Sequence, residues 1–139
     1  MYFTTKSRYA TQIMLDLAEW ENKKLRQRSE ISQKHSIPPK YMDQIICDLK
    51  KSNLIKTHRG PLGGLQIAES SDSISLWNIF QAVEKSLEPV VCLHDELSCS
   101  KTLSCISRPL WQDVYMHCKK SLSSCFLGNY IKKSIKTKY

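Results

Sequence analysis

A mainly α-helical fold with one short two-stranded hairpin is what this sequence predicts, on three observations. Apolar residues recur every three or four positions over most of the chain, the proline pair Pro38-Pro39 separates two helical segments, and one alternating stretch is broken by Gly60-Pro61-Leu62-Gly63-Gly64. Taken in order they give a winged helix-turn-helix domain over residues 1–85, a cysteine-rich loop over 86–107, and a long dimerisation helix with a basic tail over 108–139.

Tyr9, Ile13, Leu17 and Trp20, with Ala10, Met14 and Ala18 beside them, set a first helix over about residues 7–21 whose apolar face belongs to the core. Residues 22–28 are a polar connection, and a short helix follows over 29–35 with Ile31 inward. Proline fixes its own φ and restricts the residue before it, so Pro38-Pro39 closes this helix and Pro39 opens a third, running to about residue 52. In the third helix Tyr41, Met42, Ile45 and Leu49 form the buried stripe, which leaves Lys40, Gln44, Cys47 and Lys51 on the opposite face and Asp43 on its flank.

A short helix, a tight turn and a second helix with a basic polar outer face is the arrangement that places the second helix in a DNA major groove. There Gln pairs well with adenine, and a carboxylate such as Asp43 accepts from cytosine N4. The same pattern also describes an ordinary solvated helix face. Residues 54–59 alternate as a strand and 65–67 return as a second, a wing with Arg59 at its tip, where a guanidinium suits the negative potential of a minor groove. Ser75 caps the next helix, whose core stripe is Leu76, Ile79, Phe80 and Val83.

The net charge of +8 is unevenly spread. Residues 1–60 carry twelve Lys/Arg against six Asp/Glu, residues 61–128 five against seven, and the stretch beyond has four lysines and no acid. A basic excess on the first half is what a polyanion-binding surface requires, because neutralising phosphates releases condensed counterions. No run is apolar enough for a signal peptide or a membrane span, so the chain is expected in the cytoplasm with no membrane partner. Six cysteines in that compartment point to metal or redox chemistry rather than to disulfides. Catalysis is disfavoured: there is no Cys-x-x-Cys, and His35, His58, His94 and His117 are scattered without a common spacing.

Cys92, Cys99 and Cys105 fall within one loop, separated by six and then five residues. Three soft donors this close suit zinc or an iron–sulfur cluster, and the absence of a short Cys pair favours the cluster. Within the loop His94, Asp95 and Glu96 are further possible donors. After it, Pro109 fits a helix start, and Trp111, Tyr115, Cys118, Leu122 and Cys125 are spaced four, three, four, three, a heptad seam. The seam is expected to pack on its copy in a homodimer and on the first helix, with residues 130–139 frayed. Cys47, Cys118 and Cys125 are read as packing residues.

Arg8-Tyr9-Ala10, Met14-Leu15-Asp16-Leu17-Ala18, the run Ile37 through Gln44, Arg59-Gly60-Pro61-Leu62-Gly63-Gly64, Ala82-Val83-Glu84, the three cysteines and Arg108-Pro109-Leu110-Trp111 together resemble the Rrf-type winged-helix regulators, in order and nearly without gaps to about Leu127. The resemblance implies a bacterial, homodimeric transcription factor that binds palindromic double-stranded promoter DNA. It implies base or backbone contacts at Lys40, Asp43 and Gln44, joined by Lys51 from the helix pattern, a minor-groove contact at Arg59, and a two-iron or four-iron cluster on Cys92, Cys99 and Cys105. Sensing by thiol oxidation, or by a bound metal such as zinc, is the alternative. The chain departs from the family at Leu62 and Leu65, where Gly and Tyr are frequent. It departs again at the cluster's fourth ligand: relatives use a His beyond the last cysteine or an Asp near the N-terminus, and this chain has Arg108 and Ser7-Arg8-Tyr9.

Overall fold

The computed structural model describes residues 3–137. The chain runs α1 (Thr5–Glu19), α2 (Arg28–His35), α3 (Pro39–Lys51), β1 (Ile55–His58), β2 (Gly64–Ile67), α4 (Leu76–Val83), a short α5 (Val91–His94), a 3-10 turn (Glu96–Ser98), α6 (Arg108–Ser124) and α7 (Leu127–Thr137). The mainly α winged helix-turn-helix expectation holds, and as far as α4 the element ends lie within a few residues of those the pattern gave.

One apolar core gathers Ile13, Met14 and Leu17 of α1, Ile31 of α2, Ile37 of the turn, Met42, Ile45, Ile46 and Leu49 of α3, and Ile79 and Phe80 of α4. Ile55 and Leu65 close it from the antiparallel hairpin, in which Ile55 faces Ile67 and His58 faces Gly64. Trp77, absent from the predicted α4 stripe, is buried as well, while Tyr41 and Leu76 sit at the margin.

Local chemistry starts the helices where the sequence allows. The Thr4 hydroxyl accepts from the Ser7 N–H at 3.2 Å to cap α1, and Glu84 at the end of α4 accepts hydroxyl hydrogen bonds from both Thr4 and Ser7. Ser75 caps α4 by accepting from the Asn78 N–H at 3.3 Å, while Asn78 Oδ1 accepts from the Ser75 N–H at 2.9 Å.

The C-terminal part corrects the expectation of one long helix with a frayed end. Helix α6 stops at Ser124, and residues 125–128 run antiparallel to 71–76. Leu76 N–H donates to Cys125 O (2.9 Å), Leu127 N–H to Ile74 O (3.0 Å) and Gly128 N–H to Ser71 O (3.0 Å). These backbone bonds outcompete helix continuation, and they turn the chain so that α7 lies on α1 with Leu127 buried and Ile131 half-buried. Lys132 pairs with Asp72 at 2.8 Å, so the stretch expected to fray is helical as far as Thr137, and residues 138 and 139 lie outside the described residues.

Candidate DNA-reading face and cysteine loop

Helix α2 ends on Ser36 in the left-handed conformation (φ +52°), and Ser32 holds the turn from both sides: its hydroxyl donates to Ile37 O (2.7 Å) and its carbonyl accepts from the Ile37 N–H (3.0 Å). With Ile37 buried behind it, α3 presents Lys40, Asp43, Gln44, Cys47 and Lys51 outward. Cys47 is therefore exposed on this face and is not a packing residue, because Met42, Ile45, Ile46 and Leu49 already fill the inward side. Asp43 is not free-standing: Arg28 at the start of α2 donates Nη1 to its Oδ1 at 2.6 Å, in an exposed pair. The sequence reading missed Arg28. Its only signal is that a helix-turn-helix brings the first residue of one helix against the first turns of the next.

The wing is tied to this unit rather than hanging from it. Arg26 pairs with Leu65 as an isolated bridge, N–H to O at 2.9 Å and O from N–H at 2.8 Å, and the Gln27 side-chain amide donates to the Gly63 carbonyl at the tip. Arg59 is exposed beside that tip. Lys40, Asp43, Gln44, Lys51 and Arg59 thus belong to two neighbouring elements, α3 and the wing, braced through one segment, residues 26–28.

Beneath the face lies a buried ion cluster that the apolar spacing of α1 does not reveal. The Asp16 carboxylate, with no solvent exposure, accepts from Arg26 Nε (2.7 Å) and Lys34 Nζ (2.7 Å) and lies 3.2 Å from His35 Nε2. Burial raises its pKa, but the hydrogen bonds from Arg26, Lys34 and His35 and the Lys34 charge outweigh burial and hold it below its usual 3.8. Arg26 also reaches Glu30 Oε2 at 2.8 Å and lies over the Trp20 ring at 5.0 Å. One carboxylate on α1 therefore fixes both the helix-turn-helix and, through Arg26, the wing.

The loop before α6 carries Cys92 on α5, Cys99 just after the 3-10 turn and Cys105 three residues before α6. The Ser107 hydroxyl lies 3.3 Å from Cys105 Sγ and, with the Ser107 backbone and the Arg108 charge, holds that thiol below its usual range. Arg108 donates to Glu96 at 2.6 Å, closing the loop onto the first residue of α6, while its Nε is buried without a hydrogen-bond partner. His94 lies 3.9 Å from Glu88. Among the described residues no three His, Cys, Asp or Glu side chains converge as a metal site requires. The donor chemistry, three thiols on one loop, suits a soft metal or cluster; their arrangement here is open. Leu97, Leu103 and Ile106 of the same loop are almost completely exposed.

Residues 3–133 match the family model described as "Rrf2: Iron-dependent Transcriptional regulator". The chain belongs to the Rrf2 family. It is 30% identical over 132 residues, 95% of this chain and 76% of the relative, to the HTH-type transcriptional regulator IscR of Vibrio atlanticus. Among solved structures it is similar to CymR, the global cysteine regulator of B. subtilis (TM-score 0.78, 26% identity, 96% of this chain and 98% of that one), and to T. potens IscR (TM-score 0.77, 25% identity, 100% and 92%).

This Rrf2 chain is thus a transcriptional regulator, and no helix among its described residues is long and apolar enough to cross a membrane. Its predicted pairing seam is divided. Tyr115 packs on Trp77 of its own chain at 6.0 Å between ring centres, and Cys118 and Leu122 line a cavity of about 220 Å³ with Phe3 and Phe80. Helix α6 therefore lies against α4 rather than α1, and Cys125 falls beyond the helix end. Trp111 remains on the surface with Leu110 and Val114, and no residue of this 17-residue helix is fully buried.

Proposed function

We propose that this chain is a homodimeric bacterial regulator that grips palindromic operator DNA with α3 and the wing, and whose grip is set by an iron–sulfur cluster at Cys92, Cys99 and Cys105. The observation that carries the DNA part is the bracing of the α3 face to the wing through residues 26–28. Lys40 and Lys51 then meet phosphates, Gln44 and Asp43 meet base edges, and Arg59 enters the minor groove. Arg28, paired with Asp43, is released to a phosphate when Asp43 accepts from a base. Exposed Leu110, Trp111 and Val114 on one side of α6 supply the pairing surface, an apolar stripe that a single chain leaves wet. Reduced thiols require a cytoplasmic setting, and all six cysteines are free.

For the control part, the support is chemical: three thiols on the loop that leads straight into α6, and a relative, IscR, of the same family. When bound, a cluster supplies electron transfer and reactivity toward small oxidants. The chain's own residues do the rest. Cys92, Cys99 and Cys105 bind, and the Glu96–Arg108 pair ties the middle of the loop to the start of α6. Apolar Leu97, Leu103 and Ile106 are left to cover the thiols from water as the loop closes. A second reading is favoured by Cys105, whose thiolate is promoted by Ser107 and Arg108, and by likeness to the cysteine regulator CymR: control through thiol chemistry without a cluster.

Anaerobic purification followed by iron and sulfide analysis separates the two. The cluster reading expects brown protein with iron and sulfide in equal amounts, sedimenting as a dimer, and operator affinity that changes when the cluster is removed at fixed salt and dimer concentration. Colourless protein whose operator binding responds to thiol oxidation alone transfers the role to the second reading.

On the DNA face, Gln44→Ala and Arg59→Ala are each expected to cost about 1–3 kcal/mol of operator binding, roughly 5- to 150-fold. Lys51→Ala is expected to weaken all sequences alike and to lower the salt slope by about one. Titrations of labelled duplex at several salt concentrations read both. Wild-type binding that ignores salt would overturn the electrostatic part of the proposal.

A further inference from the structure

The wing of this chain ends in a side chain that DNA reading by hydrogen bonds does not use. Gly63 N–H donates to Gly60 O at 3.0 Å, so Gly60–Gly63 is a tight turn with Pro61 and Leu62 at its two central positions, neither at positive φ. Proline fixes the first of these, and the Gln27 amide holds the Gly63 carbonyl from the helix-turn-helix side. Leu62 is 92% exposed at the apex. A lone exposed leucine is ordinary on a protein surface. This one differs in being rigidly presented, and in its surroundings: residues 52–68 contain Lys56, His58 and Arg59 and no carboxylate.

An apolar tip set in a wholly basic hairpin, and braced to a DNA-reading helix, matches the side chains that architectural proteins insert between base steps from the minor groove. We propose that Leu62 is a minor-groove wedge: it inserts at the base step facing the wing while Arg59 beside it neutralises the groove, and the operator is kinked there. The inference rests on the DNA-reading function proposed above and adds to it a residue that senses deformability. Flexible pyrimidine–purine steps at the wing position are then preferred although no hydrogen bond reads them. Because Leu62 is preorganised by Pro61 and the glycine-closed turn, little side-chain or backbone freedom is lost on insertion.

The test uses the full-length wild-type protein and a duplex that it selects from a randomised pool, labelled at both ends so that energy transfer reports bending. Leu62→Asn keeps a turn-compatible residue and removes the apolar tip; Leu62→Met restores an apolar one. The expected result is that wild type and Leu62→Met bend the duplex, while Leu62→Asn binds about tenfold more weakly, leaves it nearly straight, and loses the preference for a pyrimidine–purine step at the wing position. Thermal midpoints should be unchanged, since Leu62 packs against nothing in the core. If wild type selects no duplex, the DNA-reading proposal fails and this one with it. If it selects one but Leu62→Asn gives the same bend and the same step preference, the wedge alone is overturned.

Discussion

Replacing Asp16 by alanine is expected to cost the fold about 3–5 kcal/mol, the penalty typical of removing one partner from a buried ion cluster. The loss leaves Arg26, itself buried, without its 2.7 Å partner, and Lys34 and His35 without the group that orients the end of α2. Urea denaturation followed by circular dichroism measures it. Acid titration adds a sign. The carboxylate's pKa lies below its unfolded value near 3.8. Its contribution is therefore complete above that value and disappears as the pH falls through the lower, folded one. Asp16→Asn, which cannot ionise, should be destabilised at neutral pH and should show a shallower acid limb than wild type. An Asn variant as stable as wild type would show that the charge of Asp16 adds nothing to the fold.

Gly63→Ala is expected to abolish specific operator binding while leaving most of the domain's stability. A β-carbon at residue 63 would overlap the His58 carbonyl oxygen and lie 2.9 Å from its carbonyl carbon, both backbone atoms that cannot step aside. The turn must open, at a cost of about 1–3 kcal/mol, and Arg59 moves with it. Gly60→Ala meets no atom within 4 Å but must hold φ at +98°, so its cost is conformational alone, about 1–2 kcal/mol. Operator titrations and thermal melts on the two variants should therefore diverge: similar midpoints, within a few degrees, but a loss of binding at least tenfold greater for Gly63→Ala. Equal binding by both would mean that the wing does not touch DNA.

Much of this architecture is legible in the chain because its signals are local. The spacing of Ile13 and Leu17, the Pro38-Pro39 stop and the glycines around Pro61 each specify their own few residues, and the structure keeps them. What escapes is what needs two distant segments together. Asp16 and Arg26 are ten residues apart and Asp16 and Lys34 eighteen, so their pairing exists only after α1, α2 and the wing have docked. Arg28 and Asp43 are hidden for the same reason. The heptad of Trp111 to Cys125 is a true periodicity, but periodicity does not say which surface it faces, and α4 with its buried Trp77 takes the middle of it. The break at Cys125 carries no proline or glycine of its own; it is set by the backbone of Ile74 to Leu76, far earlier in the chain. The cysteine loop is legible as donor chemistry only: short turns such as Thr102 N–H to Cys99 O (3.2 Å) fix it locally without gathering the three sulfurs.

The stitching of residues 125–128 to 71–76 makes α6 a beam clamped at one end. Its 17 residues span about 25 Å at 1.5 Å per residue, with the clamp at the C-terminal end and the cysteine loop at the other. The loop end carries the exposed Leu110, Trp111 and Val114, and a tilt of roughly five degrees about the clamp displaces it by about 2 Å over that length. In the proposed dimer, a displacement of that size at one tip would reset the distance between two DNA-reading faces that have to match one helical repeat of a duplex.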